Sequence, residues 1–481
     1  MTELQIIIAV FASYLFLLFG VAIWSSKETT DLESYFIAGK KLPYWVVAFS
    51  TNATGESGWL LLGLTGMAYA VGVHAFWVVA GEFIGISLCW FLVAKRLKIA
   101  SNRYDSITVP DYLESRFEDD RHILRLISVV IILVMVLIYI AAQMIAAGKA
   151  FSEFIQISYV QGVILGAVVT ALYTMIGGYK AVAYTDVVQG VLMLLALILL
   201  PLFAFIEAGG WSPVMSGLDT IDPILLNGLG EHGWSVAGFV AAASFLAIGL
   251  PFLGVPQVLV RFMSIEDETQ VAKAGFISVA CMLFFTSGAV FIGLAGRVLF
   301  PDLADPELIM PTLSRELFPP VITGILVVVL LAAIMSTVDS LLILVSSAIT
   351  RDLLQKVVKP NISDNKLVFI GKACTFVIGV CALGIALTEN RAIFWLVLFS
   401  WSGLGATFGP IMICSLIWEK VTLAGAIAGV LGGFLITVLW VVFLKEDVYN
   451  MYEAIPGFFG GLLLIIGVSL FTQKPALKPI T

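Results

Sequence analysis

Asn52, Ala53, Thr54, Gly55, Glu56, Ser57 and Gly58 occupy the middle of residues 43–72, PYWVVAFSTNATGESGWLLLGLTGMAYAVG, a stretch with the length and apolarity of a membrane span. Two glycines, one carboxylate and three neutral hydrogen-bonding side chains therefore fall at the depth of the hydrocarbon. An interrupted backbone is tolerated there only when it packs within protein or lines a cavity. The pattern suits a binding site that offers carbonyl and hydroxyl oxygens to a ligand. The alternative is a kinked helix whose polar groups are satisfied by its neighbours. Glu56 weighs against that, because ionisable residues inside a membrane are rare and usually functional.

Three further constellations point the same way. Residues 249–256, Gly-Leu-Pro-Phe-Leu-Gly-Val-Pro, interrupt the apolar run 234–258, and proline inside a helix removes a hydrogen bond and clashes with the preceding turn. Paired Gly/Pro-interrupted spans are a sequence pointer to a transporter site at the bilayer midplane. In the run 319–349, Ala333, Ser336, Thr337 and Ser340 share one helical face, with Asp339 at its flank. Adjacent hydroxyls facing unwound carbonyls suit a weakly held alkali cation; zinc takes Cys or His and calcium more carboxylates. The alternative for Ser336 and Thr337 is a bond back to their own helix. The fourth is IGGYKAVAYTDVVQG, residues 176–190, where Asp186 opens the next apolar run. A cation ligand and a helix cap are both open for it.

The elements that must position these residues are set by composition. Of 481 residues 60% are hydrophobic and 12% charged, against about 25% charged in soluble domains. The chain is thus expected to be an all-α integral membrane protein. Thirteen apolar runs are long enough to span: 4–24, 43–72, 75–94, 124–150, 158–177, 187–207, 234–258, 272–299, 319–349, 366–388, 394–418, 421–444 and 454–472. Spans 2 and 7 are the interrupted ones, so 43–207 and 234–418 form a five-plus-five inverted repeat within one transporter domain. Residues 4–24 add a first helix and 421–472 two last ones. The start, MTELQIIIAVF, lacks a basic region and cleavage site and reads as a retained span. With the amino terminus outside and the carboxyl terminus cytoplasmic, only Lys149, Arg297, Arg315, Arg391 and Lys445 of the 26 basic residues lie outside, as the positive-inside bias requires. Residues 99–121 form a cytoplasmic linker with a short amphipathic helix beside the membrane. The net charge of −7 offers no basic face for nucleic acid. Cys89, Cys281, Cys374, Cys381 and Cys414 fit no zinc or disulfide spacing and are expected as small core residues. His74, His122 and His232 are expected at the surface.

On these stretches the chain resembles the sodium:solute symporter family, in particular its bacterial sodium/proline symporters. The matching segments are SGWLLLGLTG (57–66), PDYLESRFED (110–119), GGYKAVAYTDVVQ (177–189), RFM (261–263), AAIMST (332–337), SSAITRDL (346–353) and GPIMICSLIW (409–418). The resemblance implies a sodium site from the carbonyls of Ala53, Glu56 and Ala333 and the hydroxyls of Ser336 and Thr337. It implies a second cation or proton site at Asp186, Asp339, Ser336 and Ser340. It directs the solute to Ser57, Gly58, Trp59, Glu82, Tyr139, Gln143, Ile248, Phe252 and Pro256. Departures concentrate there: Gly55 replaces the carboxylate of the proline symporters and Glu56 follows it. Ile248 and Phe252 replace their Trp and Tyr, and Glu82 and Gln143 are polar groups they lack. Asp339 stands where they have Ser.

The resulting expectation is a sodium-coupled secondary symporter in the plasma (inner) membrane, importing a small polar solute, with proline or another amino acid first. A monocarboxylate or other small nutrient is the alternative. From another class, a membrane solute sensor on a transporter-like fold is disfavoured by the short tail TQKPALKPIT. Catalytic His/Cys/Ser spacing is absent, so an enzyme is not expected. Sodium, the solute and the lipid bilayer are the expected partners, with neither nucleic acid nor an obligate protein.

Overall fold

Backbone N–H and C=O groups cannot stay bare in hydrocarbon, and long apolar segments meet this by closing every bond within a helix. The computed structural model describes residues 2–26, 31–388 and 393–472, with Ser26, Leu172, Tyr173 and Ile176 described by backbone alone. Among the described residues it is helices joined by turns and loops, and its one β feature is a parallel bridge, Leu42 with Ile265. The helices that bear on the site are α1 (Glu3–Ser26), α2 (Tyr44–Gly58), α3 (Thr65–Val71), α4 (Phe76–Leu88), α5 (Val109–Phe117), α6 (Ile123–Ile155) and α7 (Tyr159–Glu207). They continue with α8 (Val236–Leu246), α9 (Pro256–Ser264), α10 (Val271–Leu299), α11 (Pro320–Ser347), α12 (Asp364–Thr388), α13 (Ile393–Ile417), α14 (Leu423–Leu439) and α15 (Ala454–Phe471).

Both interruptions are present. Ser57 leaves helical geometry at φ 51°, ψ −174° at the end of α2. Between α8 and α9 the chain tightens into a 3₁₀ stretch, Ala247–Leu253, and restarts at Pro256, where a missing N–H costs nothing at the first helical position. Among the described residues eleven helical stretches are long and apolar enough to cross a membrane, rather than thirteen. The expected spans 43–72 and 75–94 run together as one stretch, Tyr44–Arg103, of 60 residues, because Gly72 turns the chain at φ 66° without a loop. The expected span 158–177 is represented by the shorter apolar helix Tyr159–Ala171. It runs on into the next span through Gly178, whose φ is 62°.

The core sits around α11 and α13. Buried residues make up 83% of the apolar windows of Pro320–Val358 and Ile393–Ile417, against 22% in Asp364–Thr388 and Leu423–Leu444, so α12 and α14 present their apolar surface outward. Helix α11 packs on α1, α2, α6 and α7. Helix α4 lies directly on the second interruption: a Cβ at Gly81 would stand 2.1 Å from the Leu246 carbonyl oxygen, and one at Gly85 2.0 Å from that of Gly249. This approach, open only to glycine, brings Glu82 to the site.

Several expectations are corrected. The segment 99–121 is no surface linker: Tyr112 and Arg116 of α5 are buried and bond Ser415 of α13. His74 is buried too, bonded to the Gly228 carbonyl at 2.9 Å because the outer loop folds back over it. Cys89, Cys281 and Cys414 are buried, but Cys374 is half-buried and Cys381 exposed, since they ride on the outward α12.

Arg125 ties three elements together at one end of the bundle. Its guanidinium reaches Asp111 at 2.7 Å and Glu114 at 2.6 Å on α5, and Asp352 beyond α11. Arg351 meets Asp111 at 3.0 Å. Burial opposes the charge on Asp111, but Arg351 and Arg125 outweigh it and hold its carboxyl below the usual carboxylate range. A carboxylate with a depressed folded pKa stabilises above its unfolded value and loses that contribution as pH falls through the folded one. The stability advantage of the native chain over Asp111→Asn is therefore expected to be flat from neutral pH to about pH 4 and to vanish in stronger acid. Melting curves of the two proteins across that range check it; an advantage that already fades near pH 6 would refute the assignment.

Candidate functional site

The Ser57 break leaves the last carbonyls of α2 without a full set of helical partners, and α11 fills that gap. Ser336 Oγ donates to the Ala53 carbonyl at 2.8 Å and lies 3.0 Å from that of Ala333. Thr337 Oγ1 donates to the Thr54 carbonyl at 3.1 Å and lies 3.3 Å from Ala333 O. Three carbonyls and two hydroxyls thus converge, all buried. They are neutral, hard oxygens, the donor set that fits a weakly held alkali cation. Both hydroxyls do touch their own helix, as the bland alternative requires, but each also crosses to α2. The Glu56 carbonyl instead accepts from the Trp59 N–H, where the helix restarts; beside Thr337 the structure has Thr54.

One turn towards the α9 side lies a charged cluster. Asp186 Oδ2 accepts from Ser50 at 2.6 Å and from Arg261 at 2.9 Å. Arg261 also donates to the Ser50 carbonyl at 3.0 Å and to Ser340 Oγ at 2.6 Å. Ser340 lies 3.2 Å from Asp339 Oδ1 and 2.9 Å from Thr54 Oγ1. Asp186, Asp339 and Ser340 are therefore brought together as expected, and adjoin the carbonyl ring through Thr54. What was missed is Arg261, which the apolar pattern leaves in an inner loop. The available signal was Pro256: a helix restarting there places Gln257 and Arg261 one turn apart on a single face, and Arg261 does bond the Gln257 carbonyl at 2.7 Å.

The residues expected to meet solute gather on the other side of the break. Gln143 Oε1 accepts from the Gly58 N–H at 2.9 Å, and Tyr139 lies buried one turn earlier on α6. Phe252 closes on Gly55, where a Cβ would stand 3.1 Å from its ring. Trp401 of α13 packs edge-on to Phe252, with ring centroids 5.0 Å apart, and to Tyr139 at 6.4 Å. Its indole N–H donates to the Ile248 carbonyl at 3.1 Å, a wall residue the sequence did not single out. The carboxyl groups of Glu56 and Glu82 meet each other, both buried. Trp59 points elsewhere and stacks on Phe394 at 5.7 Å, while Pro256 opens α9.

The family model described as Sodium:solute symporter family matches residues 35–433. The chain is 36% identical over 461 residues to the high-affinity proline transporter PutP of Bacillus subtilis (strain 168), covering 95% of this chain and 96% of that protein. It is 34% identical over 477 residues to a sodium/proline symporter of Staphylococcus aureus, covering 96% and 92%. Its fold is similar to that of a sodium-coupled sialic acid symporter solved in a substrate-bound outward-open state, with a TM-score of 0.81, 19% identity and 98% of each chain covered.

Proposed function

The chain belongs to the sodium:solute symporter family, and on that premise we propose that it carries a small polar solute inward across the plasma membrane together with sodium. It is a multi-pass membrane transporter and not an enzyme. The observation that carries the coupling is the pair of α11 hydroxyls donated to the unwound carbonyls of α2. Sodium, which is cargo here, is held by Ala53, Ala333, Ser336 and Thr337, with Thr54 and Glu56 supplying the rest of the break. Binding there joins α2 to α11 beside the solute residues, so sodium and solute raise each other's affinity by the same factor.

Arg261 changes the reading of the second site. Its guanidinium is paired with Asp186, which supports a reading in which Arg261, Asp186 and Ser340 form a fixed ion cluster beside a single sodium, with Asp339 at its edge. In this reading the chain crosses thirteen times, since a straight helix of 60 residues would be about 90 Å long against a core of about 30 Å; Gly72 and Gly178 divide the merged stretches. Residues 43–207 and 234–418 are the inverted repeats, with the amino terminus outside. The orientation rests on the basic residues, of which Lys27, Arg391, Lys474 and Lys478 lie outside the described residues.

Purified protein in proteoliposomes tests this. Uptake of one member of a labelled panel of amino acids, amines and short carboxylates is expected to require an inward sodium gradient and to stop when that gradient is collapsed. Accumulation that ignores sodium and follows a proton gradient would sink the proposal.

A further inference from the structure

The fold gives five of its other buried acids a cationic partner. Asp111 and Asp352 have Arg125, Asp186 has Arg261, Glu307 has Lys149 and Glu453 has Lys445, at distances between 2.5 and 2.9 Å. Among the described residues Glu56 and Glu82 have no cationic partner, only each other. Neither oxygen of Glu56 receives a hydrogen bond from any donor, and Oε2 of Glu82 receives none. Two carboxyl groups this close in a buried site need a positive group or a shared proton, and among the described residues no cationic side chain pairs with either.

A second, independent observation shows what kind of group. The Gln143 side chain is fully buried with its Oε1 tied to Gly58, yet its Nε2 has no acceptor. It lies against the same turn of chain that carries Glu56, one turn from Tyr139. Behind it stand the rings of Phe252, Trp401 and Tyr139 in edge-to-face contact. A bare metal ion offers no acceptor to an amide donor. An organic cation that also carries an acceptor uses both groups, the rings through cation–π attraction and the amide through that acceptor.

We infer that the solute is a compact organic cation, whose ammonium group sits between Glu56 and Glu82 and whose hydrogen-bond acceptor meets Gln143 Nε2. The inference rests on the reading that the paired breaks in α2 and between α8 and α9 form the solute cavity of a sodium symporter. Glu82 then acts as a specificity residue, delivered to the cavity by the glycine-only contact of α4 with the second break.

The test uses the full chain in lipid nanodiscs and in proteoliposomes, with L-lysine, choline and 1,4-diaminobutane as cations, L-proline as a neutral zwitterion and pyruvate as an anion. In sodium, at least one cation is expected to raise the melting temperature and to be taken up with an apparent affinity about tenfold or more above those of proline and pyruvate. Glu82→Gln keeps the shape and removes the charge, and is expected to weaken that cation about tenfold or more. Should the variant fail to fold, the selectivity of the native protein still decides. A panel in which no cation outcompetes proline and pyruvate overturns the inference. So does a Glu82→Gln protein with unchanged cation affinity, or uptake of a neutral solute that acidifies the lumen, which would give the carboxyl pair to a proton. Failure of the symport reading looks different: sodium would then shift neither melting nor uptake of the native protein, whatever the solute.

Discussion

Alanine at both Ser336 and Thr337 will raise the sodium concentration for half-maximal uptake by at least about tenfold while the protein still reaches the membrane. Each hydroxyl contributes about 1–1.5 kcal/mol as a hydrogen-bonding or ligand group. Losing both corresponds to roughly 2–3 kcal/mol, or about 30- to 150-fold in affinity. Solute affinity should weaken in the same variant, because sodium and solute are linked through the α2–α11 junction. Ser347 on the same helix supplies the control. Its hydroxyl bonds only the Leu344 carbonyl of its own turn, so Ser347→Ala should leave the sodium dependence where it was. A double variant with native sodium dependence would show that the two hydroxyls merely satisfy the unwound carbonyls.

The second large effect belongs to Arg261. Removing one partner of a buried ion pair leaves the other charge uncompensated and costs roughly 3–5 kcal/mol. Arg261→Gln is therefore expected to lower the melting temperature sharply, because Asp186 would keep its charge with Ser50 and Thr54 as its remaining donors. Asp186→Asn in the same chain should recover much of that loss. The two substitutions are then non-additive in a double-mutant cycle, by more than about 1 kcal/mol. Strict additivity would mean that Asp186 answers to some other cation and that the pairing with Arg261 does not stabilise the site. Reversal-potential measurements on Asp186→Asn add a second readout: if the cluster binds no transported ion, charge moved per solute stays as in the native protein.

Most of what the chain does was written locally. Apolar runs the length of a bilayer made it a helical membrane protein, since backbone bonding in lipid permits little else. Gly55, Gly58, Pro251 and Pro256 marked both interruptions, because glycine and proline weaken a helix wherever they fall, although the first break itself lands on Ser57. The face of Ala333, Ser336, Thr337 and Ser340 followed from helical periodicity alone. Tertiary structure decided which groups meet. Ser336 and Ala53 lie 283 positions apart, and no local propensity records that contact. It depends on α11 lying buried between α2, α6 and α7. Arg261 looked like an inner-loop cation until the restart at Pro256 turned it towards Asp186. Glu56 and Glu82 were two separate intramembrane acids; they became a pair because Gly81 and Gly85 let α4 reach the backbone of Leu246 and Gly249 at distances that any side chain would forbid. Sequence periodicity sets which face a helix buries, but the neighbour on that face is chosen by packing across the whole chain.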